Sequence, residues 1–121
     1  MDGLQNRLRY LNAALVETPV GNLSETVVVA GSDRMLGKLD GIVIDPIEHQ
    51  VRFFVIKARH WLRTHRYLLP AAPLQVEADR KALHLVGQSA NIRHLPEITP
   101  KTFSACTAAD LIGVPIRTAI A

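Results

Sequence analysis

Leu4, Leu8, Leu11 and Leu15 recur at spacings of four, three and four, which sets them on one face of a helix. Gln5, Arg7 and Asn12 fall on the opposite face, and Pro19 and Gly21 end the run. The spacing predicts an amphipathic helix over 3–16, its apolar face packed on the body of the protein or on a partner. Beyond it, short runs of β-branched and aromatic residues take over, as suits a pleated, half-buried surface. Strands are predicted over 26–30, 35–45 and 50–57, with 66–69 as a short fourth. Gly37 and Gly41 mark bulges or bends in the long second strand. Asp45-Pro46-Ile47-Glu48 has Pro where its fixed φ suits a type I turn. Pro70 and Pro73 interrupt pairing and mark an edge or corner. Asp79-Arg80-Lys81 joins 74–78 to 82–86 as a hairpin. Residues 87–94 are compatible with one or two helical turns. The tail from 97 is rich in Thr, Ser and Ala, with a short helix expected from Thr107 to Leu111 and a strand from Val114 to Ile120. That tail closes the body, pairs with a second copy, or is loose.

Many short strands separated by tight turns predict a mainly β protein that curls into a small barrel or sandwich and so protects its strand edges. At 121 residues the chain fits one domain. With 48% apolar and 21% charged residues it should fold rather than stay disordered. The longest apolar runs are four residues, far below the roughly 20 of a membrane-spanning helix. Asp2, Arg7, Arg9 and Glu17 interrupt any signal-peptide core. The single cysteine, Cys106, has no partner for an internal disulfide, and a cytoplasmic setting is the expectation.

The net charge of +3 is unevenly placed. Four of the 14 Lys and Arg lie within 57–66, a stretch without an acid, and the other 10 are matched by 11 acids. The whole basic excess therefore sits in one segment, predicted to be a loop running from Lys57 to Tyr67. Lys57, Arg59, His60, Trp61, Arg63, His65 and Arg66 are the candidate partner-binding residues. Arg and Trp commonly anchor protein interfaces. Positive charge interleaved with aromatic rings also suits single-stranded nucleic acid, and cations alone suit an anionic membrane surface. The competing reading packs Trp61 into the barrel mouth and leaves the cations solvated.

Catalytic patterns are weak. The run from Gly31 to Lys38 has five residues between Gly31 and Gly37, and Leu39 stands where a phosphate loop needs Ser or Thr. His60 and His65 are flanked by cations, which disfavours a bound metal, and His49 and His84 lie apart from them. Cys106 has no neighbouring His or Lys in sequence to activate it, and no nucleophile-elbow pattern occurs. Asp40 and Asp45 are separated along a strand. The expectation is a non-enzymatic protein with no cofactor and no metal.

One block is more specific than periodicity. Leu36-Gly37-Lys38-Leu39-Asp40-Gly41-Ile42-Val43-Ile44-Asp45-Pro46, followed by Val51 to Ile56, resembles the PRC-barrel family, as do Trp61 with Tyr67-Leu68-Leu69-Pro70 and the stretch from Val76 to Pro96. The family includes the cytoplasmic domain of the photosynthetic reaction centre H subunit and the barrel domain of the ribosome maturation factor. The resemblance spans about residues 25–98. It implies a small, strongly bent β-barrel at 25–98, after an N-terminal extension at 1–24 and before a tail at 99–121. It also implies a protein-interaction or assembly module with a protein partner or a homodimer. Thr107 to Gly113 is faintly similar to the lead-in to such a barrel's first strand, which implies strand completion by the tail or exchange between subunits. The second reading is an RNA- or ribosome-associated maturation factor that binds through 57–67.

Overall fold

The computed structural model describes residues 6–18, 21–30, 34–60, 62–71, 75–79, 82–86, 95–99 and 101–114. Its centre is the long strand β5 (Arg34–Asp45) folded back on β6 (Gln50–His60), which in turn pairs with β7 (Arg63–Pro70). β4 (Val27–Ala30) pairs antiparallel with the first part of β5. β9 (Ala82–Val86) runs parallel to β4 on its far side and forms the expected hairpin with β8 (Gln75–Asp79). β10 (Glu97–Ile98) closes the other end on β7, so the order is β10-β7-β6-β5-β4-β9-β8. The sheet curls strongly into half a barrel. Register shifts between Val28 and Val29, Leu39 and Gly41, and Val43 and Ile44 add to that curl, because a bulge bends its strand and increases the local twist.

The alternation along β5 and β6 is apolar on both faces, so each face carries a core. Ile42, Ile44, Phe54, Ile56 and Leu69 point into the larger one, with Leu36, Leu39, Val28, Leu23 and Ala13. Val43 and Val55 point the other way and pack with Leu8, flanked by Tyr10, Phe53, Leu68, Ile98 and Phe103.

The predicted N-terminal helix is not supported beyond Arg7 among the described residues. Among the described residues of that stretch, helical backbone is limited to Asn6–Arg7 and a 3₁₀ turn at Ala13–Leu15. Arg9–Asn12 is instead strand β1, paired antiparallel with the Gly41–Ile44 part of β5 that β4 leaves uncovered. The pairing satisfies a row of backbone groups that would otherwise form an exposed edge, which outweighs a weak helical preference. A strand sends residues three apart to opposite faces, and this separates Leu8 from Leu11, both of which are buried. Leu15 is 75% exposed, against the single apolar face that a helix requires. β11 (Ser104–Ala105) lies parallel to β1, and a two-residue hairpin, β2 (Glu17–Thr18) with β3 (Gly21–Asn22), stands apart from the main sheet.

The turn after β5 sits where it was expected. Asp45 is fully buried, its Oδ1 accepts from the Ile47 and Glu48 amides at 3.0 and 3.1 Å, and its Oδ2 accepts from Arg7 Nη2 at 2.6 Å. Burial works against its charge, but the Glu48 and Ile47 amides and Arg7 outweigh it and hold the carboxyl below the ordinary range. In the tail the expected short helix is a 3₁₀ turn at Ala109–Leu111. The strand expected over 114–120 lies outside the described residues beyond Val114, as do the helical turns expected over 87–94. Among the described residues no helix is long and apolar enough to cross a membrane.

Candidate binding cleft at the basic hairpin

The segment predicted as a basic loop is most of a β-hairpin. β6 runs on through His60 and β7 begins at Arg63, with Lys57↔Arg66, Ala58↔His65, Arg59↔Thr64 and His60↔Arg63 as cross-strand pairs. Trp61 and Leu62 make the connection, and Trp61 lies outside the described residues. The strands extend because two partners facing each other satisfy the backbone groups between them, whereas a loop over the same stretch leaves those groups to water.

The hairpin sorts the predicted binding residues into two sets. Arg66 donates from Nε to Asp40 Oδ2 at 3.1 Å, tying β7 to the bulge in β5. Asp40 also accepts from the Tyr10 hydroxyl. Burial, and after it this hydrogen bond, raises the Tyr10 phenol above its ordinary value. His65 sits 2.7 Å from Glu97 Oε1 through Nδ1 and stacks on Tyr67, with centroids 6.2 Å apart. His65 and Arg66 are therefore joints between strands. Lys57, Arg59 and Arg63 are exposed and have no ion pair among the described residues. Only the backbone of His60 is described.

A fourth cation, missed in the sequence, joins them. The β5–β6 register sets Lys38 directly opposite Lys57, on the face that also carries Arg59 and Thr64. Its identity as a neighbour depends on a pairing of residues 19 positions apart, which no local pattern encodes. Like charges placed opposite each other in a sheet cost stability, and a cost of this kind is expected where a site is built.

β5 and β6 part company at Lys38 and Lys57. On the β5 side, Arg34–Gly37 turns away with β4, while on the β6 side Ala58–His60 continues with β7. The split opens a cleft of about 540 Å³ lined by Met35, Leu36, Gly37, Lys38, Lys57, Ala58, Arg59 and Thr64. Gly37 is required at its apex. A Cβ there would fall 2.5 Å from the Lys57 carbonyl oxygen and 2.9 Å from Ile56 Cγ2. Among the described residues the wall holds three cations, Lys38, Lys57 and Arg59, and no acid, with Met35 59% exposed at one lip and Leu62 90% exposed at the hairpin tip. Such a surface attracts anions through its charge and apolar groups through its rim.

Among the described residues, the cleft lining is Met35, Leu36, Gly37, Lys38, Lys57, Ala58, Arg59 and Thr64, without a carboxylate, histidine or thiol. Cys106 is remote from it in the fold, bonded through its amide to the Tyr10 carbonyl beside β1. Burial, and then Asp110, pushes its thiol up, away from the thiolate that a nucleophile needs. Comparison with family models, with curated proteins and with solved structures gave no match to this chain.

Proposed function

We propose that this chain is a non-catalytic, PRC-barrel-like interaction module that docks on a protein partner through the tip of the β6–β7 hairpin. The observation that carries the reading is the set of exposed cations Lys38, Lys57, Arg59 and Arg63, without an ion pair among the described residues and flanked by exposed Met35 and Leu62. Unpaired cations beside exposed aliphatic side chains suit a protein surface that offers carboxylates around an apolar patch. The RNA reading rests on the same charge but also needs flat aromatic platforms. Tyr67, one of the two aromatic residues in 57–67, is half-buried under His65. The PRC-barrel assignment draws on the Leu36 to Pro46 block, the curled sheet and the buried Asp45 turn.

Crosslinking followed by purification from native extract tests this reading, with wild type compared against the triple variant Lys57→Glu/Arg59→Glu/Arg63→Glu. The wild type is expected to capture a defined protein in near-stoichiometric amount after nuclease treatment, and the variant to lose it. All three side chains are exposed, so the variant should melt within a few degrees of wild type. Capture unchanged by the charge reversals defeats the reading. Loss of capture on nuclease treatment, with steep salt dependence of RNA binding, transfers the site to RNA.

A further inference from the structure

The cleft is bounded by strand edges as well as by side chains. Beyond Lys57, residues Ala58–His60 pair with β7 on one side and with no strand on the other, among the described residues. Across the cleft, Arg34–Gly37 pairs with β4 and likewise has no second partner. Along a strand, alternate residues direct their N–H and C=O to alternate edges, so each of these stretches offers backbone donors and acceptors to the gap. An open edge next to a pocket is the geometry used when an extended peptide adds itself to a sheet.

The charges select the occupant. Lys guards on an open edge repel a second copy of the same edge and so favour a strand of opposite sign. Lys57 and Arg59 are two residues apart and share one face, with Lys38 beside Lys57 and Thr64 beside Arg59. On the opposite face, half-buried Ala58 continues from Ile56, which lies in the larger core. A strand laid along Ala58–His60 would set one side chain beside Arg59, with Lys57 and Lys38 at the closed end of the cleft on the same face, and its neighbouring side chains towards Ala58.

We propose that the cleft is a strand-addition site for an extended acidic segment of a partner protein, with carboxylates at alternate positions set against Lys38, Lys57 and Arg59. The inference rests on the docking reading above and specifies how the partner is held. Backbone hydrogen bonds to β6 supply register, and the period-two charge pattern supplies specificity.

The test uses the full chain and a fluorescein-labelled, capped heptapeptide alternating glutamate and valine, followed by fluorescence anisotropy at low salt. Three controls accompany it: a peptide of the same composition with its glutamates consecutive, and the alternating peptide N-methylated on alternate amides in each of the two registers. The alternating peptide should bind. The block peptide and one N-methyl register should weaken by about tenfold or more, through lost backbone bonds and lost charge register, while the other N-methyl register binds normally. Lys57→Glu/Arg59→Glu should abolish binding of all of them. Equal binding of all four peptides, still lost in the charge-reversal variant, overturns strand addition and leaves the docking surface intact. No peptide binding at all, with partner capture retained in the crosslinking experiment, also overturns strand addition alone. Capture that survives the charge reversals removes the docking reading itself.

Discussion

Replacing Gly41 by alanine should show whether the N-terminal strand lies across β5 as described. Gly41 is buried in β5 between Asn12 of β1 and Val55 of β6. A Cβ at this position would overlap the Tyr10 ring at Cζ, Cε2 and the hydroxyl. The ring cannot yield freely, because its hydroxyl is bonded to Asp40, which is held in turn by Arg66. Overpacking of this kind costs about 1–3 kcal/mol. Displacing Tyr10 also gives up a hydrogen bond to a carboxylate, worth about 1.5–3 kcal/mol. Tyr10 is only half-buried and can swing outward, so the sum is discounted to about 2–4 kcal/mol, equivalent to a fall in Tm of about 5–15 °C. Urea denaturation of Gly41→Ala, Tyr10→Ala and the double variant measures it. If the clash is the cause, the double variant costs less than the two singles together, by at least about 1.5 kcal/mol.

A spectroscopic readout accompanies the stability measurement. The fold favours the neutral phenol of Tyr10, through burial first and Asp40 second. The associated stability is complete below the unfolded value near pH 10, about 10 for a free phenol, and is lost as pH rises beyond it. In a Tyr67→Phe background, phenolate absorbance should show Tyr10 titrating above the ordinary value, and Gly41→Ala should bring it back towards 10. A Gly41→Ala protein within about 0.5 kcal/mol of wild type, with its phenol titration unchanged, would refute the packing of β1 on β5.

Two further results follow from the same structure. Leu8→Ala should cost about 2–4 kcal/mol in urea denaturation, because Leu8 is buried between Val43 and Val55, whereas Leu15→Ala should stay within about 0.5 kcal/mol. Equal costs would restore the helical face that the leucine spacing predicts. Asp45→Ala should cost about 2–4 kcal/mol, since it uncaps the turn and strands Arg7. Because the folded carboxyl of Asp45 is depressed, its contribution is present above the unfolded value near 3.9 and is lost as pH falls below it. Asp45→Asn should flatten that acid limb of the stability profile, and an unchanged limb would show that other carboxylates carry it.

The N-terminal stretch shows where a local pattern misleads. Its four leucines fit a helical face, and a segment of that length has no reason of its own to do otherwise. What decides its conformation is the uncovered half of β5, whose Gly41 to Ile44 pair with Asn12 to Arg9 across 29 to 35 positions of chain and whose backbone groups need a partner. The basic segment departs from its local pattern for a related reason. Its cations hide the strand signal, since charged residues are poor strand formers, and only the register with β7 shows that they ride on a hairpin. The same register places Lys38 beside Lys57 and ties His65 and Arg66 to Glu97 and Asp40.

The sequence alone determined the β character, the long strand ending at Asp45, the turn that follows it, the 75–86 hairpin and the confinement of excess charge to one segment. These are encoded within a few residues, by β-branched runs, by proline and by turn formers. Tertiary structure alone decided which side chains share a face, which cations are neutralised and where a cleft opens. Those outcomes depend on pairings between distant segments, and a shift of one residue in register would send each side chain to the opposite face of the sheet.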